Sequence, residues 1–438
     1  MRVLVVSHSC IVALNRRLFE AVAGLGDTEV ELVVPATWRD EYTGSVRAAD
    51  PADGSAVEIN FVPVRLPGRG SFYHYAADLA ALVRRAAPDV VFLDEEPWSL
   101  VSGQVARACR RAGVPLVCYT KQNLNKRYPP PFRWVEQSTY RAAAGIAALT
   151  EAAQDVLRQK GFAGPCPILP HGYDTTVFHP GPANDPLRRQ LGLRGTVVGY
   201  LGRFIPVKGL HTLVEAASVL RACGDGGGGD AAGVTLLMVG AGPLEPALRA
   251  DVARRGLESM VTFAGPVRHE RAADYLRCMD ALVLPSLTLP TAREQFGRVI
   301  IEAQACGVPV VGSTSGNIPG LIGQTRGGVT FREGDPADLA AALFTLVRDA
   351  DARRALGRLG AETVRARFGL DAVAANLRDI LRRAAGLSGD GGGVGSVAAA
   401  AAAEEGAAAT RLSSREAADD ADRREADARV VAVDSRNT

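Results

Sequence analysis

Short, unbroken apolar runs alternate with stretches of helical periodicity along most of the chain. The first run, "RVLVVS" (Arg2 to Ser7), suits a strand covered on both faces. A helical pattern, "NRRLFEAVAGLG", follows and is closed by Gly24 and Gly26. "EVELVVP" predicts the next strand, and "YAADLAALVRRAAPDVVFLDEE" a helix, a turn and a strand. "ARACRRAGVPLVCYT" repeats that plan and "GIAALT" adds one more strand. Helices alternating with apolar strands predict a doubly wound parallel sheet.

The rhythm restarts at "GTVVGYLGRF" (Gly195 to Phe204), and "TLLMVGAGPLEPAL", "VTFAGPV", "ALVLPS" and "VPVVGS" again predict strands between helices. With "LPHGYDTTVFHPGP" (Leu169 to Pro182) between them, the halves predict two Rossmann-like domains facing each other across a cleft. The expected division is residues 1–180, 181–370, a C-terminal helix over 371–386 that returns to the first domain, and a tail over 387–438. "GDGGGGDAAG" (Gly224 to Gly233) has no strand leading into it and reads as a surface insertion, not a phosphate loop.

Composition changes the picture at the C-terminus. From Ser388 the chain has no aromatic residue and few large apolar ones, too little to repay ordering, so a disordered tail is expected. Ten acidic and six basic residues there give −4, leaving +6 on the rest of a chain whose net charge is +2. That balance gives no case for nucleic acid as a partner. No apolar run approaches the roughly 18 residues of a membrane span, so membrane contact is expected to be peripheral at most. Seven scattered cysteines without metal-type spacing predict reduced thiols and a cytoplasmic protein.

The chemistry concentrates in "TAREQFGRVIIEAQACGVPVVGS" (Thr291 to Ser313). Phe296, Val299, Ile300 and Ala303 recur at helical spacing, with Gly297 at the predicted helix start. First-turn N–H groups lack partners and favour anions. Glu294 lies just ahead of that start and Glu302 within the helix, so both carboxylates could address one ligand there, or both could be structural salt bridges. "GYLGRFIPVKG" places Gly202, Arg203, Lys208 and Gly209 past a strand's C-terminal end. These cations are either solvated or set to neutralise a diphosphate. "VGAGPLE" has only two glycines of a dinucleotide fingerprint, Gly240 and Gly242, and reads as a strand-to-helix turn.

Taken in order, "GR-x4-KG", "VGAGPLE", "FAGPV" and "E-x7-E" followed by "A-x-A-x-G-x-PVV" resemble the retaining GT-B glycosyltransferases of family 4. "LPHGYDTTVFHP" is similar to the segment joining that family's two domains, and the likeness covers residues 1–385. The resemblance implies a nucleoside diphosphate-sugar donor, UDP- or GDP-linked, and an acceptor that is a sugar, a lipid or a natural-product scaffold. It implies neither metal nor bound cofactor. Arg203 and Lys208 would grip the diphosphate and Glu302 the ribose. Glu294, with the backbone of Gln295, Phe296 and Gly297, would face the donor sugar, and Gly202 would belong to the donor-binding set. Pro266, Val267 and Arg268 would lie against the base.

Two departures stand out. "SHSCIVALN" replaces the family's glycine-rich first loop, putting His8, Ser9 and Asn15 on the acceptor side. Lys121, Gln122 and Asn123 stand where the family often has a histidine; Gln122 or Asn123 would make the sugar contact. "KQNLNKRYPPPFRW" (Lys121 to Trp134) reads as an ordinary loop, an acceptor contact or a surface for anionic lipid. The trio Asp94, Glu95 and Glu96 reads equally as acceptor ligands or as solvated turn residues.

Overall fold

A computed structural model of the chain describes residues 1–39, 46–48, 57–225 and 233–387. The expected tail from Ser388 onward, and most of the glycine-rich insertion, lie outside them. Met1–Gly386 is one compact unit built on two six-stranded parallel sheets.

The first sheet comprises β1 (Arg2–Val6), β2 (Glu29–Pro35), β3 (Glu58–Val62), β4 (Val90–Leu93), β5 (Leu116–Thr120) and β6 (Ala143–Ala148), in the order β6-β5-β4-β1-β2-β3. The second comprises β7 (Thr196–Leu201), β8 (Val234–Val239), β9 (Val261–Gly265), β10 (Ala281–Leu284), β11 (Val310–Ser313) and β12 (Gly328–Phe331). Its order, β9-β8-β7-β10-β11-β12, repeats the first. Both are the doubly wound order in which winding reverses beside the first strand, opening a crevice at the C-terminal edge. The central strands are buried along their length because helices cover both faces, as with "VVFL" of β4 and "ALVL" of β10.

The edge strands β3 and β12 escaped the sequence reading. Half-exposed edges need no unbroken apolar run, and both mix polar with apolar residues. The Lys121 to Trp134 stretch is not all loop: Phe132 begins a helix, Phe132–Ala142, whose Val135 packs against Gly103.

After Phe368 the chain crosses back to the first sheet. Tyr173 donates its backbone N–H to Phe368 and accepts from Leu370, and the final helix, Leu370–Ala384, runs beside the helix Arg17–Gly24. Arg382 pairs with Asp27 at 3.2 Å, and the Asn376 amide donates to the Ile168 carbonyl at 3.0 Å. Six cysteines are buried free thiols, and burial pushes Cys10, Cys109 and Cys306 up to about 12, which leaves them unreactive. No helix among the described residues is long and apolar enough to cross a membrane.

Candidate functional site

The second sheet's crevice opens between β7 and β10. Past β7 come Gly202 and the exposed Arg203, then the turn Pro206–Lys208. Two further glycines hold this loop in place. A Cβ on Gly240 would lie 1.9 Å from the Gly202 carbonyl oxygen, and one on Gly242 2.4 Å from that of Phe204. The glycines of "VGAGPLE" therefore serve backbone packing between two loops, at the strand-to-helix turn the sequence predicts. Lys208 reaches across to the loop after β10 and donates to Glu294 Oε2 at 2.6 Å. The Ser286 hydroxyl donates to the same oxygen at 2.8 Å. Among the described residues no hydrogen bond reaches the other oxygen, Oε1. Two residues singled out separately in the sequence are thus partners.

The helix Arg298–Ala305 starts from Gly297, whose φ of +83° suits glycine alone without strain. Phe296 is not a side-chain contact for a ligand. It is 4% exposed and its ring packs between those of His171 and Phe368, at 5.3 and 6.0 Å. Only its backbone remains available. Gln295 beside it is exposed.

Glu302 sits one turn inside this helix, 5% exposed, its carboxyl without a hydrogen bond among the described residues. Burial pushes its carboxyl up to about 7, against the opposing field of Arg298. Its nearest ionisable neighbour is His269, Nε2 to Oε1 at 3.9 Å. Burial first, then Arg298, hold His269 below its ordinary range, so this contact is not an ion pair near neutral pH.

Glu302 borders a cavity of about 270 Å³ between the two sheets. Ser9, Asn15 and Lys121 line it from the first half, His171 from the connecting segment, and His269 and Arg298 from the second. Arg298 Nη2 lies 3.4 Å from His171 Nδ1. Burial, with Arg298 and Lys121, keeps His171 well below its usual value and therefore neutral. The sequence reading missed Arg298, His171 and His269. One signal was present: Arg298 and Glu302 are four residues apart, hence on one helix face.

At the first sheet's crevice, the acidic trio is tied to donors inside the protein rather than left as solvated turn residues, and Asp94 also lines the cavity. Asp94 accepts from Ser7 and Ser9, both at 2.8 Å, and from Lys121 at 2.9 Å. Glu95 accepts from the His8 backbone at 2.8 Å and the Tyr73 hydroxyl at 2.5 Å, with His8 Nδ1 at 2.6 Å. Glu96 accepts from Thr120 and from the Lys121 backbone. Buried carboxylates must find such donors inside the protein. Burial disfavours charge on His8, yet Glu95 against its ring raises the pKa overall. The ring stacks on Trp38 with centroids 4.6 Å apart.

The remaining residues scatter. Gln122 donates to the Tyr128 hydroxyl at 2.7 Å, and Tyr128 stacks on Trp98. Asn123 is buried and donates to the Glu294 carbonyl at 2.9 Å. Val267 and Arg268 follow β9; Arg268 is exposed and pairs with Glu270 at 3.4 Å. Among the described residues no group of three or more His, Cys, Asp or Glu could hold a metal ion.

Comparison with known proteins agrees with this architecture. The family description "Glycosyl transferases group 1" matches residues 195–349, and "Glycosyl transferase 4-like domain" matches residues 12–172. A GDP-mannose-dependent alpha-(1-6)-phosphatidylinositol monomannoside mannosyltransferase of Mycobacterium tuberculosis is 35% identical over 51% of this chain and 57% of its own length. The chain therefore spans little more than half of that relative. A D-inositol 3-phosphate glycosyltransferase of Catenulispora acidiphila is 32% identical over 65% of this chain and 69% of its own. A 2-deoxystreptamine glucosyltransferase of Streptomyces kanamyceticus is 28% identical over 81% and 94%. Anabaena Alr3699/HepE, solved with UDP, superposes with a TM-score of 0.68 at 23% identity, over 87% of this chain and 100% of that one, a likeness of fold. Two parallel sheets of this winding, with both halves matched in order, show that the chain belongs to the group 1 glycosyltransferases, of GT-B fold and family 4 type.

Proposed function

We propose that the chain transfers a sugar, with retention, from a UDP- or GDP-linked donor to an acceptor hydroxyl. The observation that carries this reading is the cluster Lys208–Glu294–Ser286 at one crevice edge, near a buried carboxyl, Glu302, with unused acceptor capacity. The ribose hydroxyls would donate to Glu302. Arg203 and Lys208 would face the diphosphate, and Glu294, through its second oxygen, a donor-sugar hydroxyl. The anomeric carbon–oxygen bond to phosphate breaks as the bond to the acceptor oxygen forms on the same face. The acceptor's proton passes to the departing phosphate oxygen, whose growing charge the two cations stabilise.

The reading is tested by screening UDP- and GDP-sugars for thermal stabilisation, then acceptors with the best donor. Failure of every donor to bind sinks it. Turnover of donor alone at a rate equal to transfer would favour an epimerase or hydrolase of the same fold, and binding without turnover a silent sugar-nucleotide module. Because cationic side chains take the electrostatic role, excess EDTA is expected to leave transfer intact. Full inhibition reversed by magnesium would overturn that part of the site.

The membrane-facing partner of the reading is an anionic bilayer. Segments 63–75 and 124–134 contain Arg65, Arg69, Lys126, Arg127 and Arg133 and no carboxylate. Phe72 and Phe132 join them with rings 4.9 Å apart, and Leu66, Phe72 and Trp134 are exposed. Sedimentation with phosphatidylglycerol vesicles, but not with phosphatidylcholine, is expected. Trp134→Ala should weaken it on the order of tenfold, the worth of burying one large aromatic. Equal binding to both vesicle types rejects the surface.

A further inference from the structure

The loop that follows β5 in the first sheet touches the loop that follows β10 in the second at three points. The Asn123 side chain donates to the Glu294 carbonyl at 2.9 Å, and Arg293 donates to the Asn123 carbonyl. Lys126 donates to the Thr291 carbonyl at 3.0 Å. Asn123 thus holds two consecutive residues of the opposite half, and it is itself only 2% exposed. Its burial, with an amide N–H committed to protein, argues against the sugar contact expected from its position in the sequence.

Glu294 is held from three directions. Lys208 and Ser286 fix its carboxylate, and Gly316 presses on its carbonyl so closely that a Cβ there would lie 2.1 Å away. The Asn317 N–H donates to the same carbonyl at 3.2 Å. Asn123 supplies the third hold, and only this one comes from the first half of the chain. Separation of the two halves would break it and leave the other two intact.

We propose that Asn123 is a positioning residue which makes the alignment of Glu294 depend on contact between the two halves. It fixes the 291–297 loop from across the cleft, and so acts on the donor sugar through Glu294 without touching the sugar. The proposal rests on the transferase reading for its kinetic consequence, but its structural consequence stands apart. Loss of the amide leaves a buried carbonyl short of one donor while the backbone contact with Arg293 survives, so Asn123→Ala removes one bond and little else.

The test has two arms. Hydrogen exchange on the ligand-free chain is expected to show faster exchange over 291–297 in Asn123→Ala, with the rest of the second half unchanged. In steady-state assays turnover should fall roughly tenfold, the worth of one buried hydrogen bond, while donor affinity stays within about twofold. Lys126→Ala, whose bond lies in an exposed position, should show the same split more weakly. Affinity falling in step with turnover would make Asn123 a ligand contact and overturn the proposal. Unchanged exchange over 291–297 would overturn it equally. If the wild type turns over no donor, the transferase reading fails, and the exchange arm still decides the role of Asn123.

Discussion

Replacing Lys208 by alanine is expected to lower turnover on the order of 100-fold or more while weakening donor binding far less. The asymmetry follows from where charge develops: the diphosphate gains negative charge as the anomeric bond breaks, so a cation beside it acts mainly in the transition state. The structure adds a complication absent from the sequence. Lys208 also neutralises Glu294, whose side chain is only 12% exposed, so the single variant leaves a poorly solvated carboxylate with Ser286 as its one side-chain donor among the described residues. Part of any loss would then reflect stability. The double variant Lys208→Met with Glu294→Gln separates the two effects, since it removes both charges together. Melting temperature should recover in the double variant and turnover should not. Recovery of both would reduce the pair to a structural salt bridge. Glu294→Gln alone keeps an acceptor oxygen and should reduce turnover while blurring the choice of donor sugar.

The central strands were legible because burial on both faces leaves no room for polar residues, and runs such as "VVFL" and "ALVL" cannot be anything else in an alternating chain. Edge strands such as Glu58–Val62 obey a weaker constraint and passed unseen. Glu302 was legible for the converse reason: a carboxylate in an apolar helical run is costly enough to require an explanation. What the sequence could not express was pairing across long separations. Lys208 with Glu294, and Asn123 with the Glu294 carbonyl, are set by how β7, β10 and β5 end at the same cleft. Nor could it tell whether Asp94, Glu95 and Glu96 face water. Their donors come from Ser7, His8, Tyr73 and Thr120, brought together only by the sheet order.

Donor affinity is expected to be about tenfold weaker at pH 6 than at pH 8 because of Glu302, whose carboxyl titrates near 7 in the ligand-free chain. Ribose hydroxyls donate to the ionised form, so a proton on Glu302 competes with the donor below that pH. Among the other groups around the cavity, burial holds His171 well below its usual value and therefore neutral, Lys121 and the serine hydroxyls keep Asp94 ionised, and guanidinium groups do not titrate here. His8, bound to Glu95, and His269, which burial lowers from its ordinary range, are the remaining candidates for pH dependence. Glu302→Gln distinguishes them: its donor affinity should be lower at pH 8 and flat with pH, with turnover at saturating donor little changed. Stability should move in the opposite sense. The folded chain holds this proton more tightly than the unfolded chain, whose carboxyl titrates near 4.5. Its favourable effect is complete below that pH and is lost as pH rises through 7. Ligand-free wild type should therefore match Glu302→Gln near pH 4.5 and fall behind it by roughly 3 kcal/mol above pH 7. Melting curves of both proteins across that range, with calorimetric donor titrations at pH 6 and 8, measure the two effects separately. A wild-type stability profile parallel to that of the variant would mean that Glu302 already has a donor inside the protein, and would remove it from the donor site.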